Sequence, residues 1–390
     1  MASRQGKVVD LRPWVLAAVA AISPTDPTTA LRGGAVVCAV LLLTAIGHWR
    51  PGAPDLLAIA LTLLAVLSVA WALDPGSTVL SATNQVAVLF IFLCTRAVIR
   101  TSNDLSIIAV GYVFGCLYAV YVVLTQNGVS NFAPELADVR YGASGVNLNY
   151  LAYCLITGVV VSFLLWGHRF LRLLLLLAAV AMADVSWLAG SRGAALAALC
   201  LPLWLLTFRL GPSRAFRILG LIVWTCAATI SVGLMDSLLR RVEGETVRAT
   251  GDLAGRLTTW PIARRIFEDN PIIGVGAGGF ARLNPYGIGA HNVILEVGVG
   301  LGLAGLLLFI ATVYVALISC TSEIETRRRC LLVGSLVVCW TPIYLSGHWD
   351  LSPAAWLVLG LFSRLSLVAA PHQTERLGWL PRPAARPGEP

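Results

Sequence analysis

Residues 292–318 read NVILEVGVGLGLAGLLLFIATVYVALI, with Glu296 the one charged side chain among them. A helix of about 20 apolar residues crosses the hydrocarbon core of a bilayer. A helix on the surface of a soluble domain would show a polar stripe, which this run lacks. Runs of the same kind recur at 14–22, 32–48, 55–73, 79–98, 105–124, 148–166, 170–189, 193–208, 214–235, 331–346 and 353–369. The first is the shortest. Pro13 and Pro24 bracket it, so it reads as a half-span or an interfacial segment, and the span that follows at once argues against a cleaved signal peptide.

Composition agrees with that reading. Nine apolar residue types make up 57% of the 390 residues, charged residues only 12%, and mean hydropathy is +0.80. That much apolar surface cannot be hidden in a soluble core, since soluble domains carry roughly 25% charged residues. The chain is expected to be an all-α polytopic membrane protein of about twelve transmembrane helices, forming one domain over 1–370. The Pro- and Arg-rich stretch 371–390 is expected to be a disordered cytoplasmic tail. A soluble enzyme and a nucleic-acid-binding domain are excluded. The net charge of +8 is spread between spans and forms no basic face.

Basic residues near span ends set orientation. With the N-terminus in the cytoplasm, every short loop assigned to the inside is basic, among them those holding Arg50, Arg96, Arg100, Arg169, Arg172, Arg209, Arg214 and Arg327–Arg329. Both termini then face the cytoplasm. Segments 125–147, 190–193 and 236–291 lie outside, the last being one long loop able to carry short helices. None of the nine cysteines falls in these outer segments, so a disulfide framework is not expected.

The polar residues that could carry chemistry concentrate on the outer side. Gly274, Gly276 and Gly279 fit a dinucleotide fingerprint by spacing, but no strand or βαβ unit surrounds them. They read either as a flexible turn or as a backbone able to approach a bulky ligand. His291 stands at the mouth of the tenth span, as a structural donor or a catalyst. Asn292 and Glu296, four apart, share a helix face below it. An acidic group inside the membrane boundary is a functional candidate. Ser191-Arg192-Gly193 makes a tight turn that holds Arg192 at the interface, by snorkelling or for a ligand. Arg256, Trp260 and Arg264 recur every fourth residue, with Arg265 adjoining. They form either an amphipathic helix on the headgroups or a cationic cradle for phosphate. Pro261 fits that helix only if it begins near Thr258 or Thr259, which would leave Arg256 before its start.

Together these motifs resemble the O-antigen ligase and O-antigen polymerase superfamily of bacterial membrane glycosyltransferases. The shared order is Asn147-Leu-Asn149, then Ser191-Arg192-Gly193, then Arg256 with Trp260, then Asn270-Pro271-Ile-Ile-Gly274-Val-Gly276 with Phe280, then His291-Asn292-x-x-Leu295-Glu296. The chain departs from it at Gly300, where relatives often carry an acid, and at Pro261. The resemblance implies a GT-C-like fold in the bacterial inner membrane. It implies transfer of a glycan from an undecaprenyl-diphosphate-linked donor to a glycan or glycolipid acceptor, among membrane lipids and without nucleic acid. On that reading His291 is the general base. Arg192 and Arg256 hold the diphosphate, with Arg265 third. Asn292, Glu296, Ser191, Trp260, Gly274 and Gly276 support them. The expected reaction is a single inverting displacement without cofactor or metal, since no Asp-x-Asp occurs and arginines can neutralise the leaving group. The rival expectation is a secondary transporter or lipid flippase, which would place ionisable groups at the bilayer midplane.

Overall fold

The structure is a computed structural model that describes residues 10–47, 49–125, 142–143, 145–166, 171–211, 213–243, 256–319 and 326–367. The tail 371–390 and most of segment 125–147 lie outside the described residues.

The regular structure of the described residues is all helix: α1 (Arg12–Ile22), α2 (Pro27–Ala45), α3 (Ala53–Leu67), α4 (Pro75–Val98), α5 (Ser102–Thr125), α6 (Leu148–Ser162), α7 (Arg172–Leu188), α8 (Arg192–Leu210), α9 (Arg214–Glu243), α10 (Arg256–Asp269), α11 (Phe280–Leu283), α12 (Val293–Ile318), α13 (Thr326–Ser346) and α14 (Pro353–Phe362). It is an all-α polytopic membrane protein. Each of the twelve expected spans contains a helix. Among the described residues, eight helices are long and apolar enough to cross a bilayer, and α1 and α14 are shorter. Helix starts follow local chemistry. Asn147, Asn292 and Ser352 cap α6, α12 and α14 with their side-chain oxygens, and prolines occupy the first turns of α1 to α4 and α14.

α6 is the buried centre, walled by α5, α7, α8 and α13. Outer helices turn bare leucines outward, such as Leu173 and Leu177 on α7, as a lipid-facing surface must. Short α1 lies along α5. A Cβ at Gly111 or Gly115 would strike the α1 backbone at Ala17 or Ala21, so this small-xxx-small pair lets the two helices touch.

Polar groups separate to the two ends of the bundle. At one end Asp55 and Arg96 form a buried pair at 2.6 Å, and the Arg364 guanidinium donates to the Arg96 carbonyl. Arg12 pairs with Asp10 there. This is the end the sequence assigns to the cytoplasm. The opposite end gathers 23–26, 68–78, 147–150, 190–193, 256–292 and 346–352. Tyr150 donates to the Ser23 carbonyl, Tyr153 to the Ser346 carbonyl, and Leu73 N–H to the Val275 carbonyl.

Candidate functional site

The segment before α12 does more than loop over the surface. α12 is broken at Gly302, whose φ of 67° is left-handed. In an unbroken helix Leu303 and Ala304 N–H would donate to the Val299 and Gly300 carbonyls. The break frees all four groups, and residues 271–276 take them up. Leu303 N–H donates to the Pro271 carbonyl at 2.8 Å and Ala304 N–H to Ile272 at 3.2 Å. In return Val275 N–H donates to Val299 at 3.0 Å and Gly276 N–H to Gly300 at 2.9 Å. Inside a bilayer each such group left unpaired would cost several kcal/mol. The far side of the same loop is tied to the end of α3 through Ala277 N–H to the Ser68 hydroxyl and Trp71 Nε1 to the Ile273 carbonyl.

The two expected glycines have their explanation here. Gly274 sits at φ 69°, and a Cβ on it would stand 2.5 Å from the Gly300 carbonyl carbon. A Cβ on Gly276 would stand 2.7 Å from Ala72 Cβ and Thr78 Oγ1. The close approach these glycines permit is to the protein's own backbone and side chains. The loop therefore reaches down beside α12 by about 16 Å, at 1.5 Å per residue from Val293 to Ala304.

α10 begins at Arg256, so Pro261 lies in its second turn, later than sequence reasoning expects. The proline forgoes one bond, to the Leu257 carbonyl. The helix is held from its buried face, where Ala263 joins a small apolar cluster with Val275, Phe280, Ala290 and Val299, edged by Trp260 and Phe267. Arg264 points away and pairs with Glu268 at 2.7 Å on the exposed side. Arg265 is also exposed. Arg256 is described in its backbone alone, at the first position of α10.

Trp260 reaches from α10 to the residue before His291. Its Nε1–H donates to the Ala290 carbonyl at 2.8 Å. Ala290 N–H donates to Glu296 Oε1 at 2.5 Å. Both sides of a fully buried alanine are thus fixed, and the next residue, His291, has a left-handed backbone with φ 50°. That conformation is uncommon outside glycine and persists where the surroundings impose it. Asn292 follows as the α12 cap, its Oδ1 accepting from Ile294 and Leu295 N–H at 3.0 and 3.2 Å. Asn292 serves the helix start, and through it the register of His291.

Two functional candidates come from a segment sequence reasoning passed over. His348 lies 4.4 Å from His291, ring centroid to ring centroid, and its Nδ1 is 3.4 Å from Glu296 Oε1. Asp350 follows, and burial pushes its carboxyl up to about 6 from the ordinary 3.8. The signal was available. The alternating topology already places the turn between the last two spans on the same side as His291. Glu296, His348 and Asp350 line a cavity of about 390 Å³, with Ser77, Ser81, Asn84 and Gln85 of α4 on its other wall. Gln85 Nε2 is buried there without a partner.

Ser191 is buried, and its Oγ has no hydrogen-bond partner. Arg192 opens α8 and is half-buried. Gly193 packs so closely on Ser346 that a Cβ would collide with its hydroxyl, which brings the Ser191–Gly193 turn against the corner leading to His348. The expected residues thus share one end of the bundle. Trp260, Gly274, Gly276, Asn292, Glu296 and His291 form one bonded assembly, while Arg264 and Arg265 stand outside it. Among the described residues no three His, Cys, Asp or Glu side chains converge as a metal site.

Residues 177–310 match the O-antigen ligase family. The matched stretch runs from within α7 to within α12 and contains Ser191–Gly193, Arg256, Trp260, the glycine loop and His291 to Glu296. His348 and Asp350 lie beyond it. Over these residues the chain is similar to O-antigen ligases, the superfamily its motifs resemble. The similarity supports glycan transfer of the ligase or polymerase type, in a multi-pass bacterial membrane protein. No curated protein matches the chain.

Proposed function

We propose, on the strength of the O-antigen ligase similarity, that this chain moves a glycan from undecaprenyl diphosphate to an acceptor hydroxyl at the outer face of the cytoplasmic membrane. His291 Nε2 or Nδ1 takes the proton from the acceptor hydroxyl as its oxygen attacks the anomeric carbon. The bond from that carbon to the diphosphate oxygen breaks, and undecaprenyl diphosphate leaves with the electron pair. One displacement inverts the anomeric centre. The developing charge on the leaving group is met by Arg192 and Arg256, with Arg265 third. A planar guanidinium suits phosphate oxygens because it binds them in pairs and keeps its charge. No metal is needed where arginines neutralise the leaving group.

The observation that carries this reading is the fixing of Ala290 on both sides. It holds His291 in a left-handed backbone, its ring 4.4 Å from His348 on the wall of the cavity that carries Glu296 and Asp350. A base must reach its proton before its pKa matters, and such fixing supplies reach. The cavity wall of Ser77, Ser81, Asn84 and Gln85 offers hydroxyl and amide groups of the kind that bind sugars.

The test is transfer from a lipid-linked donor in proteoliposomes. His291→Gln is expected to lose about 10²–10⁴-fold in rate, the range for a general base, with donor binding kept. A Gln variant at near-wild-type rate makes His291 a positioning group.

A further inference from the structure

The end of the bundle opposite His291 holds a second cavity, of about 680 Å³, between the start of α9, the last turn of α12 and the start of α13. Arg214, Arg217, Arg327 and Arg329 line it, with no acidic side chain among the described lining residues. Four like charges this close repel one another, and the repulsion strengthens away from water. The fold nevertheless holds three of them in place. Arg217 donates to the Gly211 carbonyl at 3.0 Å and Arg329 to the Ile318 carbonyl. The guanidiniums of Arg217 and Arg327 both lie over the Phe208 ring, at 5.1 and 5.8 Å from its centre. The Nε atoms of Arg217 and Arg327 are buried without hydrogen-bond partners. Two helices, α9 and α13, begin at this cavity, and helix N-termini favour anions.

The other wall is apolar. Leu221 and Leu317 line the cavity, and α9 continues from it with exposed Leu219 and Ile222. A ligand that matches both walls carries a phosphate head and hydrocarbon chains. We propose that this cavity binds the headgroup phosphate of an anionic phospholipid, with its acyl chains lying along α9. A basic pocket between spanning helices is suited to such headgroups. The site is independent of the proposed transfer reaction, from which it is separated by the length of the bundle.

The full chain, purified in detergent and stripped of phospholipid, is melted with added phosphatidylglycerol, with phosphatidylcholine of the same chains, or with inorganic phosphate. Phosphatidylglycerol is expected to raise Tm saturably, whereas the other two at equal concentration leave it unchanged. Arg217→Gln and Arg327→Gln are each expected to weaken the apparent affinity roughly fivefold, each shift read against that variant's own lipid-free Tm. Should either variant fail to fold, Arg214→Gln, at an exposed position, replaces it. Arg192→Ala, at the residue proposed to hold the donor diphosphate, should keep the full lipid response, which separates this site from donor binding. An equal response to phosphatidylcholine overturns the proposal, as does a response to phosphate alone, which would mark a site for a soluble anion. Absence of any response also overturns it.

Discussion

Trp260→Phe isolates one hydrogen bond. The Trp260 Nε1–H to Ala290 carbonyl bond is 2.8 Å long, and Ala290 is fully buried, so no water replaces the lost donor. A buried carbonyl left unpaired costs about 1–3 kcal/mol. The phenyl ring keeps most of the apolar packing against the cluster of Ala263, Val275 and Phe280, at whose edge Trp260 stands. The freed carbonyl belongs to the peptide bond that joins Ala290 to His291. Ala290 N–H remains held by Glu296, so that peptide can turn about a fixed point. The φ of 50° at His291 costs roughly 1–2 kcal/mol against right-handed alternatives, and relaxing it would swing the imidazole. If the whole penalty falls on the transition state, the rate drops roughly fivefold to a hundredfold, at 1.36 kcal/mol per decade. Single-turnover transfer in proteoliposomes measures it, with donor binding determined separately and expected within about twofold of wild type. A Trp260→Phe protein with lowered Tm and an unchanged rate would refute the argument that this bond positions His291.

Arg192→Ala is expected to lose on the order of 2–4 kcal/mol of transition-state stabilisation, and Lys to restore part of it; full activity at normal expression removes Arg192 from the site. Gly274→Ala combines a left-handed backbone with a Cβ 2.5 Å from the Gly300 carbonyl carbon. It should destabilise the fold by about 2–5 kcal/mol, and an unchanged Tm would show that the loop is not laced into α12. Asp350 gives a pH dependence of known sign. Its carboxyl titrates near 6 when folded, against 3.8 ordinarily, so the folded state binds the extra proton. The stability this contributes is present below about pH 4 and is lost as pH rises through about 6, amounting to roughly 3 kcal/mol at 1.36 kcal/mol per unit. Asp350→Asn should therefore melt higher relative to wild type at pH 8 than at pH 4; an equal difference at both pH values rejects the assignment.

Much of the membrane architecture is legible in the sequence because the bilayer imposes a one-dimensional rule. A run such as 292–318 must be helical when no water is there to satisfy its backbone. The separation of the arginines at the other end, such as Arg96, Arg214 and Arg327, from the glycine and histidine motifs follows from the same alternation of spans. Reading Arg192, Trp260 and His291 as belonging to one end needed only the order of helices along the chain. What the sequence could not specify is everything that depends on two distant segments meeting. Gly302 reads as one more glycine in an apolar run until residues 271–276 are seen to pair the four backbone groups its break frees. Gly274 and Gly276 suggest room for a ligand, yet that room is filled by α12, Ala72 and Thr78. His348 and Asp350 carry no motif. They join Glu296 only because α13 ends beside α12, and that meeting is set by side-chain packing across the bundle. Span and sidedness are local properties of hydrophobic length and charge. A site is a set of distances, and only the tertiary packing fixes those.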